Sequence, residues 1–131
     1  LKKLKSNIDY GVFKVVQEAG IAALEGPQEY VAGTVSTYQR RRDVLINGLE
    51  KLGWPVPKPK ASMFIWAPLP WGYTSSQDFA LRLLEETGIL VIPGPAFGAR
   101  GEGYVRIALV EEEEILVEAI KRIEKNLAAG R

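Results

Sequence analysis

Apolar side chains early in the chain recur at three- and four-residue spacing: Ile8, Val12, Val15, Val16, Ala19, Ala23 and Leu24. That spacing predicts one helix over 8–25, capped by Asn7, weakened at Gly11 and Gly20, and stopped by Gly26-Pro27. So little charge falls on this segment that burial on more than one side is expected. A second stripe runs through Tyr30, Val31, Thr34, Val35, Tyr38, Arg41, Leu45, Leu49 and Leu52, predicting a helix over 28–52 that Gly53 ends. Unbroken, it would exceed roughly 35 Å, the reach of a strut between layers or domains.

From Trp54 the helical period disappears. The prolines of WPVPKPKA leave room for one short edge strand at most. Residues 62–67, SMFIWA, combine aromatic and branched side chains and predict a strand; 68–72 is a turn. Ser75 or Ser76 caps a helix through Thr87, with Phe79, Ala80, Leu83 and Leu84 toward the core and Gly88 as its stop. Residues 89–92 predict a short buried strand, whereas 93–103, PGPAFGARGEG, is too punctuated for regular structure. A strand over 104–110 and a helix over 111–127 follow, the helix striped by Ile115, Ala119, Ile120, Ile123 and Leu127. Glu111 to Glu114 suit the positive end of that helix. The order predicts a small α/β (α+β) fold, with helices packed on a three- to four-stranded sheet. The first helix, ahead of the Gly26-Pro27 break, reads as the last element of some larger unit.

Composition narrows the chemistry. The 131 residues carry 47% apolar side chains, enough for about one domain with a real core. Lys and Arg number 17 against 16 acidic residues, so there is no electrostatic footprint for nucleic acid or an anionic membrane. Cysteine is absent, which removes disulfides, thiolate catalysis and thiolate metal sites and fits a cytoplasmic, reducing setting. Histidine is absent as well, and with it the commonest metal ligand and general base. Trp54, Trp66, Trp71 and Phe64 read as core and packing residues, and Lys58 and Lys60 as solvated. No metal site is expected, and the balance points away from a self-contained enzyme. The chain opens on Leu1, with Met63 its only methionine, which reads as a sequence cut from something longer.

Arg106 is the most informative position. Along 104–109, Val105, Ile107 and Leu109 share one strand face, while Tyr104, Arg106 and Ala108 share the other. A guanidinium inside an apolar strand needs a partner. Three arrangements satisfy it: an internal Glu or Asp, an edge strand from which Arg reaches solvent, or the carboxylate of a ligand gripped by the planar fork. Just upstream, Pro93, Gly94, Phe97 and Gly98 form a loop whose glycines either serve turns or let the backbone approach a ligand. Neither a GKS/GKT ending nor a GxGxxG helix start is present. Residues 40–42, three consecutive arginines, spread around a helix and read as solvated or interdomain ion pairs.

Taken in order, several segments resemble the C-terminal part of class I/II, fold-type I aminotransferases that use pyridoxal phosphate (PLP). These are Lys5-Ser6-Asn7, Gly11-Val12-Phe13 with Gln17, Ala22-Ala23-Leu24 with Gly26-Pro27-Gln28, and Tyr38 with Arg41-Arg42-Asp43 and Gly48-Leu49. They continue through Pro59-Lys60-Ala61, Met63-Phe64-Ile65-Trp66-Ala67, Pro93-Gly94 with Phe97-Gly98, and GEGYVRIAL ending at Leu109. Within that family the segments resemble prokaryotic aspartate, alanine and LL-diaminopimelate aminotransferases. The resemblance implies that 1–26 ends the large PLP-binding domain and that 27–131 is the small C-terminal domain. It implies that Arg106 binds the substrate α-carboxylate and that Pro93, Gly94, Phe97 and Gly98 border the site. Ser6 and Asn7 would approach the dimer interface.

It also implies what lies elsewhere. Family members bind the cofactor covalently through a lysine of the large domain, upstream of this segment, and Lys2, Lys3 and Lys5 lack that context. PLP is therefore expected in a full-length, homodimeric parent acting on an amino acid and a 2-oxo acid. The 131 residues alone are expected to bind no cofactor, to hold no catalytic residue and to be inactive. Two other readings stand beside this one. The first is a stand-alone, non-catalytic α/β module for carboxylate or protein binding. The second is an orphaned fragment that exposes the apolar face meant for a missing large domain.

Overall fold

The computed structural model describes residues 1–8, 11–70 and 72–128, with the backbone alone at 127 and 128. Its elements are α1 (Lys2–Ile8), α2 (Lys14–Glu25), α3 (Glu29–Lys51), β1 (Phe64–Pro68), α4 (Ser76–Thr87), β2 (Ile92–Pro93), β3 (Tyr104–Ala108) and α5 (Glu113–Ile123). A π-helical stretch, Glu124–Ala128, continues α5. The chain divides into two compact units, Leu1–Thr34 and Val35–Arg131.

In the first unit the single helix expected over 8–25 is two helices. Gly11 takes φ +112°, a backbone that L side chains rarely adopt, and Phe13 enters α2 from an extended conformation. Asn7 is no cap; it lies within α1 and its amide donates to the Lys3 carbonyl at 2.7 Å. Gln17 Nε2 donates to the Val12 carbonyl at 2.6 Å, closing the turn ahead of α2. After α2, Gln28 Nε2 donates to the carbonyls of Ala23 and Gly26. The expected burial is not met within this chain: neither α1 nor α2 has a buried residue, and Leu4, Ile8, Phe13, Val16 and Leu24 are exposed. Asp9 and Tyr10 lie outside the described residues.

The second unit holds the core. Its sheet has three strands in the order β1-β3-β2, both pairings antiparallel. One face, with Ile65, Ala67 and Val105 fully buried, packs with Leu45 and Leu49 of α3, Phe79 and Leu83 of α4, and Ile123 of α5. Trp54 and Phe79 meet edge to face at 5.4 Å, and the Trp54 indole donates to the Pro68 carbonyl at 2.7 Å. The helix predicted over 28–52 and the strand over 62–67 match α3 and β1 within two residues. Residues 53–63 contain no strand. The strand expected over 89–92 shrinks to β2, because only Ile92 and Pro93 reach a partner.

Helix ends follow local chemistry. Ser75 Oγ accepts from the Asp78 amide at 3.2 Å to cap α4, and Gly88 ends it in a left-handed conformation. Leu84 is exposed, and the buried polar residues Ser76 and Thr87 line the inner side of α4 instead. On α5, Ala119, Ile120 and Ile123 face inward as expected, but at the start of the helix Leu116 is buried in place of the exposed Ile115; the Leu127 side chain lies outside what is described. Gly48 of α3 faces α5, and a Cβ there would overlap the Ile120 side chain.

Candidate functional site

β3 is the central strand, so Arg106 is not on an edge. The register sets Trp66 of β1 and Ile92 of β2 on either side of it. Cross-strand partners share a face, and Tyr104, Trp66 and Phe64 therefore lie on the Arg106 side of the sheet, away from the core. This side is only half covered: Trp66 is 40% and Tyr104 38% exposed. Trp66 stacks on Tyr104 with ring centroids 5.7 Å apart.

The guanidinium of Arg106 is flanked by two rings, its carbon lying 4.2 Å from the Phe64 centroid and 4.4 Å from that of Phe97. Each such contact is worth about 0.5–2 kcal/mol, more as water is excluded. Among the described residues no carboxylate and no hydrogen-bond acceptor meets this guanidinium. The internal ion pair weighed from the sequence is thus not found among the described residues.

The loop before β3 delivers Phe97. It consists of two 3₁₀ turns, Gly94–Phe97 and Ala99–Gly101, rather than irregular chain. Its glycines have intramolecular reasons. A Cβ on Gly94 would overlap the Gly101 carbonyl, and one on Gly101 the Gly94 carbonyl, so the two backbones touch. Gly98 and Gly103 adopt φ of +122° and +86°. Pro93 belongs to β2, paired with Val105. Of the four residues expected to border a site, Phe97 sets its ring against Arg106, and Pro93, Gly94 and Gly98 belong to the strand and loop that place it. Phe97 also meets Trp66 edge to face at 5.8 Å, and the two line a recess of about 420 Å³ with residues 98–101.

Glu102 fastens the far end of this loop. Its Oε1 accepts from the backbone amide of Ser76 at 2.8 Å and from that of Gly103 at 3.0 Å. The Ser76 amide, above all, holds the Glu102 carboxyl below the usual range. A second cavity of about 470 Å³ lies among α3, α5 and residues 88–91, lined mainly by apolar side chains such as Leu45, Leu90 and Leu116.

The arginine run resolves into three separate roles. Arg40 pairs with Glu113 at 2.9 Å, and Arg42 with Asp43 at 2.8 Å. Arg41 is buried; it donates to the carbonyls of Leu109 and Val110 and to Glu112, tying α3 to the end of β3. Lys58 pairs with Asp43 at 2.7 Å rather than being merely solvated, while Lys60 is exposed. Phe64, read as packing, is the residue sequence reasoning missed. Only the strand register puts it beside Arg106. Trp71 lies outside the described residues. Among those described, no group of three His, Cys, Asp or Glu is placed to hold a metal, and no helix is long and apolar enough to cross a membrane.

The second unit is a mixed α/β fold whose three-stranded antiparallel sheet carries Arg106 on the face away from the core. The chain belongs to the aminotransferase class I and II family, whose profile matches residues 1–123. The LL-diaminopimelate aminotransferase of Moorella thermoacetica is 50% identical over 127 residues, 97% of this chain and 32% of that enzyme. That of Gloeobacter violaceus is 45% identical over 130 residues, again 32% of its own length. Among solved structures, apo-BacF of Bacillus subtilis superposes with a TM-score of 0.86 at 36% identity, covering 99% of this chain and 34% of that one. A probable N-succinyldiaminopimelate aminotransferase of Thermus thermophilus gives 0.84 at 37% identity, covering 95% and 33%. The fold is that of the fold-type I aminotransferases, and the chain spans about a third of the length of the relatives it matches.

Proposed function

We propose that this chain is the small C-terminal domain, residues 27–131, together with the end of the large domain, residues 1–26, of a PLP-dependent aminotransferase. In that enzyme Arg106 binds the α-carboxylate of the amino acid and of the 2-oxo acid. The observation that carries this reading is the Arg106 fork, without an acceptor among the described residues, on the half-covered face of a central strand. A carboxylate matches the fork bidentately, with charge-assisted hydrogen bonds about twice as strong as neutral ones. Two bonds also fix the direction of the carboxylate, so the grip orients the substrate as well as binding it.

The residues present do not fit the cofactor itself. PLP supplies the electron sink for amino-group transfer, yet every lysine of this chain is exposed and neither of the two cavities contains one. Cofactor attachment is assigned to polypeptide outside these residues, and the 131-residue chain alone is inactive on this reading. The exposed apolar side chains of α1 and α2 support the same conclusion. Phe13, Val16 and Leu24 are surfaces that a folded protein covers, here by the remainder of a homodimeric enzyme. LL-diaminopimelate is the proposed amino donor, on the strength of the relatives above 45% identity.

The test is Arg106→Gln in the complete enzyme that carries this segment. Loss of the bidentate contact should lower kcat/KM for the donor by roughly 30- to 100-fold. An unchanged kcat/KM would remove Arg106 from substrate binding.

A further inference from the structure

Resting on the assignment of Arg106 to the substrate carboxylate, we infer that Phe64 and Phe97 are positioning residues for that arginine. They hold its guanidinium by their ring faces, so that its N–H donors stay free for the ligand. The physical problem is specific. An arginine on a half-open sheet face has four rotatable bonds and would lose entropy on ordering. The usual solution, a neighbouring carboxylate, would order the side chain but also occupy its donors and cancel its charge. The substrate would then have to displace that carboxylate. A ring face attracts the cation through its quadrupole and accepts none of the N–H groups in the plane of the fork.

The two rings come from independent elements, Phe64 from the first position of β1 and Phe97 from the end of the first 3₁₀ turn. Both approach within 4.4 Å of the guanidinium carbon. Each is itself placed. The Phe64 amide donates to Ser62 Oγ at 3.2 Å, with Ser62 at φ +82°, and Phe97 leans edge to face on Trp66. Phe97 is 51% exposed, so its ring contributes little to the core, and the neighbours it meets ring-on are Trp66 and the guanidinium.

The experiment is a double-mutant cycle in the complete enzyme, combining Phe97→Leu and Phe64→Leu with Arg106→Lys. Phe97→Tyr and Phe64→Tyr are the aromatic controls, and thermal melts the check on folding. Each leucine variant should raise KM for the amino donor by about fivefold, the factor expected for one cation–π contact, and change kcat less. The tyrosine variants should restore KM. In the Arg106→Lys background the leucine changes should have no further effect on KM. The inference is overturned, with the role of Arg106 intact, if Arg106→Lys is impaired while both leucine variants keep normal KM. It is equally overturned if the leucine effects persist undiminished in the lysine background, because the rings would then act elsewhere. If Arg106→Lys itself leaves KM unchanged, the carboxylate assignment fails and the clamp goes with it. Should Phe64→Leu not fold, the exposed Phe97 decides the question alone.

Discussion

Arg41 and Glu112 form a 2.5 Å ion pair whose members stand in opposite surroundings, the arginine side chain 9% exposed and the glutamate 73%. The same guanidinium holds the carbonyls of Leu109 and Val110, each at 3.3 Å, where the chain leaves β3 for α5. The hydrogen bond to Glu112 is the main cause that raises the guanidinium's pKa above its usual value, against the opposing effect of burial. Loss of the two partners should therefore be unequal. Arg41→Met strands two inward carbonyls and should lower Tm by roughly 5–10 °C, whereas Glu112→Gln, at the solvent side, should cost no more than about 3 °C. Calorimetry on both variants checks this; equal losses would mean that the pair, not the carbonyl contacts, ties α3 to β3.

Gly48 reverses a propensity rule. Glycine inside a helix is about 0.5–1 kcal/mol worse than alanine, so Gly48→Ala would stabilise α3 on local grounds. The overlap of a Cβ with Ile120 opposes this, because α5 would have to shift. Gly48→Ala should destabilise by about 1–2 kcal/mol, and Ile120→Val should recover part of the loss in the double variant. A gain in stability from Gly48→Ala alone would show that α5 yields without cost.

Gly94 should be as intolerant for a different reason. Its backbone touches that of Gly101, and backbone cannot swing aside as a side chain can. Gly94→Ala should open the paired 3₁₀ turns and draw Phe97 from Arg106. In the complete enzyme this appears as a KM for the amino donor raised several-fold, with Tm lowered. A changed Tm with normal KM would separate the loop from the site.

Acid sensitivity follows from two carboxyls. Hydrogen bonds from Arg42, then Lys58, hold the Asp43 carboxyl at about 2, and the Ser76 amide holds Glu102 low. Both ionise more readily folded than unfolded, where carboxyls titrate near about 4. Their stabilisation is thus present above about pH 4 and lost as pH falls below it, for Asp43 toward about 2. Asp43 is partly exposed and screened, so its share is below about 1 kcal/mol. Asp43→Asn should be less stable than the parent at pH 7, with the difference closing by pH 2 and shrinking in 1 M salt. A difference constant over pH would exclude the ion pairs as its cause.

The 131-residue chain by itself, supplied with PLP, LL-diaminopimelate and a 2-oxo acid, should yield no transamination product. It should bind a hydrophobic dye, and polar replacements at Phe13 and Leu24 should reduce that signal without moving Tm. Turnover by the chain alone would place a cofactor lysine within these residues and overturn the division of labour proposed here.

Much of the fold was legible because it rests on local chemistry. The Ser75 cap, the Gly88 stop, the long stripe of α3 and the aromatic strand β1 each follow from side chains within a few positions of one another. Arg106 stood out for the same reason, a fork in an apolar strand. What misled was equally local. Continuous spacing over 8–25 hid the break at Gly11, whose positive φ no neighbouring residue announces. Residues 89–92 read as strand, yet strand length depends on a partner that is only two residues long in register.

The sequence by itself determined where α3 and α4 begin and end, which strand carries the guanidinium and which ordered motifs resemble the aminotransferases, since each depends on near neighbours. Tertiary structure alone decided that β3 is central, that Arg106 meets no carboxylate among the described residues, and that Phe64 and Phe97 flank it. It also decided that Arg41, one of three identical neighbours, is the buried one. These are outcomes of strand register and helix packing between residues tens of positions apart, and no local pattern fixes which of them touch.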